Sequence, residues 1–168
     1  MKLKTLAAAL IVTTLITLSA WLLLGSPAAR KAPEAIFTTI TGKKIALTQL
    51  RGKPVIVTFW ATDCPGCIEE IPHLIELFND YSNKGLNIIA VAMFYDPPSR
   101  VVAMTKDKAL PYPVALDVDA KHAQAFGDVR LTPTNFLIAP DGTIAVQKVG
   151  LMDMADIRSR IDQMLGSG

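Results

Sequence analysis

The sequence predicts an α/β domain with a central mixed β-sheet flanked by helices and a β-hairpin as an N-terminal extension. Three observations predict it. Val55-Ile56-Val57-Thr58-Phe59 and Leu86 to Phe94 are continuous apolar stretches, the pattern of buried parallel strands. Between them Ile68, Ile71, Leu74, Ile75, Leu77 and Phe78 recur at helical spacing. Late in the chain Asp141-Gly142 is a hairpin turn, which adds an antiparallel pair and makes the sheet mixed.

The elements follow in order. Ala35 to Ile40 reads as a strand, turned by Thr41-Gly42-Lys43 into a second strand at Lys44 to Leu47. Leu50 to Pro54 is a loop into the central strand. The long helix that follows Cys64 ends near Asn83-Lys84-Gly85, with Gly85 as its stop and Pro72 as an expected kink. Tyr95-Asp96-Pro97-Pro98 breaks the next strand, and Ser99 is the expected cap of a helix through Lys108. Pro111 and Pro113 flank a short loop before the strand Val114 to Leu116. Asp117-Val118-Asp119 leads into a short helix through Phe126. The last helix, Met154 to Leu165, carries apolar residues at 154, 157, 161, 164 and 165.

The 168 residues allow one domain plus an appendage. Residues 1–5 are a short basic segment expected in the cytoplasm. Leu6 to Leu24 then runs 19 residues without a charge. As a helix that is about 28 Å, enough to cross a bilayer core. Residues 6–24 are therefore a transmembrane anchor or a signal sequence. The length favours a retained anchor; Gly25-Ser26-Pro27-Ala28-Ala29 leaves cleavage open. Lys2 and Lys4 would keep the N-terminus inside, so residues 34–168 are expected in the periplasm or extracytoplasmic space. Residues 25–33 read as a tether. Without Lys2, Lys4, Arg30 and Lys31 there remain 13 basic against 15 acidic residues, a net charge of −2. No basic patch appears, which argues against nucleic acid.

The only two cysteines, Cys64 and Cys67, stand where the central strand meets the helix. Residues i and i+3 of a helix share a face, roughly 5–6 Å apart, within disulfide range. The first helical turn presents unpaired N–H groups and a favourable dipole to a thiolate. Pro65 suits that turn, where no N–H is needed. A zinc site needs two more ligands, and His73 and His122 are scattered. Haem attachment needs His directly after Cys67, where Ile68 stands. A static disulfide would close too small a loop to stabilise much. Reversible thiol chemistry is the expectation. Met152, Met154 and Met164 read as packing.

Phe59-Trp60-Ala61 with Cys64-x-x-Cys67 resembles the active-site signature of the thioredoxin superfamily. The continuation to Glu70-x-Pro72 resembles the TlpA/ResA-type family of extracytoplasmic, often membrane-tethered thiol–disulfide oxidoreductases. Leu131 to Ile138, containing Thr132-Pro133, resembles that family's cis-proline strand. The resemblance spans about residues 34–165. It implies a thioredoxin-like fold and no cofactor. Cys64 is then the attacking thiolate, Cys67 the resolving thiol and Glu70 a functional acid. Trp60, Pro65, Gly66, Thr132 and Pro133 would face the substrate. The implied partners are protein thiol and disulfide substrates and a membrane electron donor; a monomer is expected.

The pattern also departs from its relatives. Thioredoxin's buried acid two residues before the Trp is here Thr58, which leaves Glu70 as the proton-transfer candidate. Asp63 replaces the usual Trp before the first Cys. Asp63 and Glu70 near the pair, with no Lys, Arg or His between Lys53 and His73, disfavour the thiolate. That favours a reductase, with a potential below roughly −180 mV. The alternative is an exported copper-binding chaperone on the same fold. Against it, such proteins space their cysteines by three residues and add a downstream His, and residues 123–168 contain none.

Overall fold

The computed structural model describes residues 13–14 and 30–166. Five strands form the main sheet in the order β5-β4-β3-β6-β7. They are β3 (Val55–Trp60), β4 (Asn87–Ala92), β5 (Val114–Leu116), β6 (Thr134–Ile138) and β7 (Ile144–Val149). β3, β4 and β5 run parallel. β6 and β7 add antiparallel pairs, so the sheet is mixed as expected. β1 (Ile36–Thr38) and β2 (Lys44–Ala46) form the separate N-terminal hairpin. The Ile40 N–H donates to the Val114 carbonyl at 2.8 Å and seats the hairpin beside β5.

Side-chain alternation on the strands divides the core into two layers. Ile56 and Trp60 of β3 join Leu74 and Leu77 of α1 (Pro65–Tyr81), Val101 of α2 (Pro98–Asp107) and Ile157 and Ile161 of α4 (Met154–Gly166). Val55, Val57 and Phe59 join Phe37 of the hairpin and Ala123 of α3 (Lys121–Ala125), with Phe126 and Phe136. Both crossovers, β3-α1-β4 and β4-α2-β5, pack α1 and α2 on the same side of the sheet.

Several boundaries differ from expectation. Ser99 does not cap α2: Pro97 is its N-cap and no side chain caps that end. Two prolines preset the first turn and need no donor, so the helix starts one residue before Ser99. The second hairpin strand stops at Ala46, and Leu47–Leu50 form a 3₁₀ turn instead. Among the described residues ahead of residue 34, Arg30 and Ala32 pack onto the domain. The Ile144 N–H donates to the Arg30 carbonyl at 2.8 Å, and Ala32 is buried. α1 continues through Pro72 and hands over at Tyr81 to a 3₁₀ turn ending at Gly85, whose φ of 120° suits glycine.

The apolar run 6–24 and the segment 25–29 lie outside the described residues, apart from Thr13 and Thr14 in a helix. Among the described residues, no helix is long and apolar enough to cross a membrane.

Candidate active site

β3 ends at Trp60, and Ala61–Asp63 carry the chain into α1. That loop is fixed by the buried Asp96 beyond β4. Its carboxylate accepts from the Thr62 N–H at 2.6 Å and the Thr62 hydroxyl at 2.7 Å. The Met93 N–H donates to the Trp60 carbonyl at 3.0 Å, which holds the two loops side by side. Cys64 is the N-cap of α1, and its sulfur accepts from the Cys67 N–H at 3.2 Å. Cys64 and Cys67 are joined as a disulfide with Cα atoms 5.2 Å apart. Cys64 is the more accessible, 9% exposed against 3% for Cys67. Pro65 and Asp63 are exposed beside it.

Glu70 lies one turn beyond Cys67 on the inner face of α1 and is 1% exposed. It accepts from Asn135 Nδ2 at 2.9 and 3.1 Å and from the Met152 N–H at 2.9 Å. Burial pushes its carboxyl above the ordinary glutamate range. The Met152 and Asn135 hydrogen bonds and the nearby His73 pull it back only in part. A cavity of about 10 Å³, close to the room one water needs, is lined by Cys67, Glu70, Thr58, Trp60 and Tyr112, among others. Burial, and secondarily the Glu70 charge, raises the Tyr112 phenol. Trp60 Nε1 is buried without a partner among the described residues.

The Thr132–Pro133 bond is cis, and Pro133 sits across from the cysteine turn. A methyl group added at Gly66 would meet the Pro133 ring at 3.4 Å, so the cysteine turn lies directly against that proline. The structure thus gathers Trp60, Cys64, Pro65, Cys67, Glu70, Gly66, Thr132 and Pro133 at one end of the sheet. Phe94 and Tyr95, just after β4, and Leu131, just before the cis-proline, are exposed. The histidines lie apart. His73 pairs with Glu76 at 3.9 Å on the outer side of α1, and His122 packs on Phe37 at 4.7 Å between ring centres. Among the described residues no three His, Cys, Asp or Glu side chains group as a metal site. Met152 is buried in the core, and Met154 and Met164 pack against it.

Sequence reasoning assigned no role to Asn135, Tyr112 or Asp96. Asn135 had a readable signal: it is a polar residue among apolar neighbours in a strand, opposite Thr58. Tyr112 and Asp96 are loop residues whose partners come from distant segments, and nothing local marks them.

A dithiol pair at a strand-to-helix junction, faced by a cis-proline and backed by a buried carboxylate, defines a thioredoxin-like thiol–disulfide oxidoreductase. The chain belongs to the AhpC/TSA family, whose model matches residues 28–147. Among its relatives is the thiol-disulfide oxidoreductase ResA of Bacillus thuringiensis (strain Al Hakam), 37% identical over 124 residues, 72% of this chain and 69% of the relative. ResA of Bacillus subtilis is 33% identical over 121 residues, 72% and 66% of the two chains. The crystal structure of a thioredoxin-family thiol:disulfide interchange protein from Chlorobium tepidum superposes with a TM-score of 0.75 at 27% identity. That match covers 84% of this chain and 99% of the other.

Proposed function

We propose that this oxidoreductase is a membrane-held, extracytoplasmic reductase of protein disulfides. The observation that carries the reading is Glu70, buried and sharing a cavity with Cys67 directly behind the Cys64–Cys67 pair. In the reduced protein Cys64 gives its proton to solvent, its thiolate attacks a substrate disulfide, and the first substrate thiolate leaves and takes up a proton from solvent. Cys67 then gives its proton to the Glu70 carboxylate and attacks the Cys64 sulfur. The second substrate thiolate leaves and takes up a proton. The net result is one substrate disulfide reduced to two thiols and one Cys64–Cys67 disulfide formed. The resting disulfide is re-reduced by a thiol donor of the membrane.

Trp60, Pro65, Gly66, Thr132 and Pro133 border the path to Cys64. The exposed Phe94, Tyr95 and Leu131 offer apolar contact to an extended segment. The uncharged run 6–24 supports the anchor, and Lys2 and Lys4 support the orientation. Reduction is favoured because Asp63 adjoins Cys64 and Glu70 backs Cys67, with no cation between Lys53 and His73 to stabilise a thiolate.

Equilibration of the full chain with glutathione tests the direction. A potential below roughly −180 mV is expected, and one near −120 mV would make the protein an oxidant. In the same preparation, Cys67→Ser should accumulate mixed disulfides through Cys64. Trapping through residue 67 in Cys64→Ser instead would reverse the roles.

A further inference from the structure

Asn135 is fully buried on β6, opposite Thr58 of β3 and on the face that carries Glu70. Its amide nitrogen is committed on two sides. It donates to both Glu70 oxygens, at 2.9 and 3.1 Å, and to the Gly150 carbonyl at 3.2 Å. Its oxygen is buried with no partner among the described residues. An unpaired buried carbonyl is costly, and turning the amide over would not relieve it here. The oxygen would then face the Glu70 carboxylate and the Gly150 carbonyl, both acceptors. In the observed orientation the amide N–H groups meet both Glu70 oxygens, a contact that stabilises the charged form of the carboxyl.

We propose that Asn135 is a positioning residue for the exchange reaction: its amide, clamped between Glu70 and the Gly150 carbonyl, holds the Glu70 carboxylate toward Cys67 and keeps it a proton acceptor. The inference rests on the reading of Glu70 as the group that takes the Cys67 proton. Burial pushes Glu70 toward its neutral form, and a protonated Glu70 cannot receive that proton. The Met152 N–H supplies a second anchor, but it is backbone and cannot be tuned by substitution. Among the described residues few other titratable groups face Glu70 and its partner; the exposed Lys148 of β7 stands opposite Asn135 in the sheet. Cys67 and His73 lie on its own helix, and Tyr112 approaches from the loop before β5. From β3, β4 and the 150–152 loop come Thr58, Trp60, Ala90 and Met152, which do not titrate. Among the described residues, Asn135 is thus the side chain that donates to the carboxylate.

The test compares two substitutions of nearly equal shape, Asn135→Val and Asn135→Thr, in the full-length protein. Only the second keeps a hydroxyl donor. The measurements are the pH dependence of mixed-disulfide resolution by Cys67 and the carboxyl carbon shift of Glu70 by NMR. In Asn135→Val the acidic limb of the resolution rate should move to higher pH, with a roughly tenfold slower rate on that limb, the size expected for one hydrogen bond to a charged group. Asn135→Thr should recover part of the loss, and the NMR titration of Glu70 should move in parallel. In a Glu70→Gln background the Asn135 substitutions should add no further pH dependence. An unmoved limb and an unmoved Glu70 titration in both variants would overturn the inference while leaving Glu70 in its role. A Glu70→Gln protein that resolves mixed disulfides at the parental rate would overturn that role, and the inference with it. If Asn135→Val fails to fold, Asn135→Thr and the NMR titration decide alone.

Discussion

On one side of the sheet β3 presents Ile56, Thr58 and Trp60; on the other it presents Val55, Val57 and Phe59. The two layers built on these residues obey different rules. The layer under the hairpin and α3 is knitted from aromatic rings. Phe126 lies 5.3 Å from Phe59 and 4.9 Å from Phe136 in edge-to-face contacts, and Phe37 lies 6.3 Å from Phe126. The layer under α1, α2 and α4 has an aliphatic floor, but it also buries Thr58, Glu70 and Asn135 beside the cysteines. Buried polar groups weaken a core unless they are paired, and here pairing is incomplete at Asn135 Oδ1 and Trp60 Nε1. The difference teaches where stability and chemistry are held. One layer contributes packing, and the other gives up some of it to keep a proton acceptor beside a thiol.

The sharpest way to break that division is a pair of substitutions, one in each layer. Cys64→Ser should abolish disulfide exchange, because no other thiol occupies the attacking position. The unfolding midpoint of the variant should match that of the reduced parent, since a hydroxyl replaces a thiol of similar size. Phe126→Ala should do the opposite. Removing a fully buried ring from the aromatic layer should cost about 3–5 kcal/mol, read by urea unfolding. Under native conditions the folded fraction should keep the parental glutathione equilibrium. An altered equilibrium in folded Phe126→Ala would show that the layers are coupled across the sheet.

The individual strands and helices were largely legible in the sequence, because continuous apolar strands and helical periodicity are local signals; the order of the strands in the sheet and the aromatic layer depend on contacts between distant segments and were not read from it. The cysteine turn was legible because it too is local: Phe59 to Glu70 is one contiguous stretch. Pro133 and the turn Pro140-Asp141-Gly142 were readable as a motif. The partners of Glu70 were not, because Asn135 and Met152 lie 65 and 82 residues away in the chain and meet it only after the sheet is assembled. Ser99 failed as a cap because the two prolines before it start α2 without one. Asp96 resembled an ordinary loop acid, although it fixes the Thr62 backbone.

A smaller effect sharpens the comparison by isolating the buried carboxylate. Burial holds Glu70 above its ordinary range in the folded protein, while the unfolded chain returns it to about 4.3. The native state therefore binds this proton more tightly than the unfolded state does. By linkage, the stability this group contributes is complete below the unfolded value, declines as pH rises through the folded value, and is level beyond it. Glu70→Gln removes the titration and keeps a carbonyl oxygen that can accept from the Met152 N–H. The unfolding free energy of the parent should accordingly fall relative to that of the variant as pH rises from about 4, and the two should run parallel at higher pH. No comparable slope should arise from the contacts among Phe59, Phe126 and Phe136, which are made between uncharged rings. Phe126→Ala should lower stability by the same amount across the window. A parent and a Glu70→Gln protein that differ by a constant at every pH would mean that Glu70 keeps the same proton affinity folded and unfolded, and that the site layer carries no electrostatic cost.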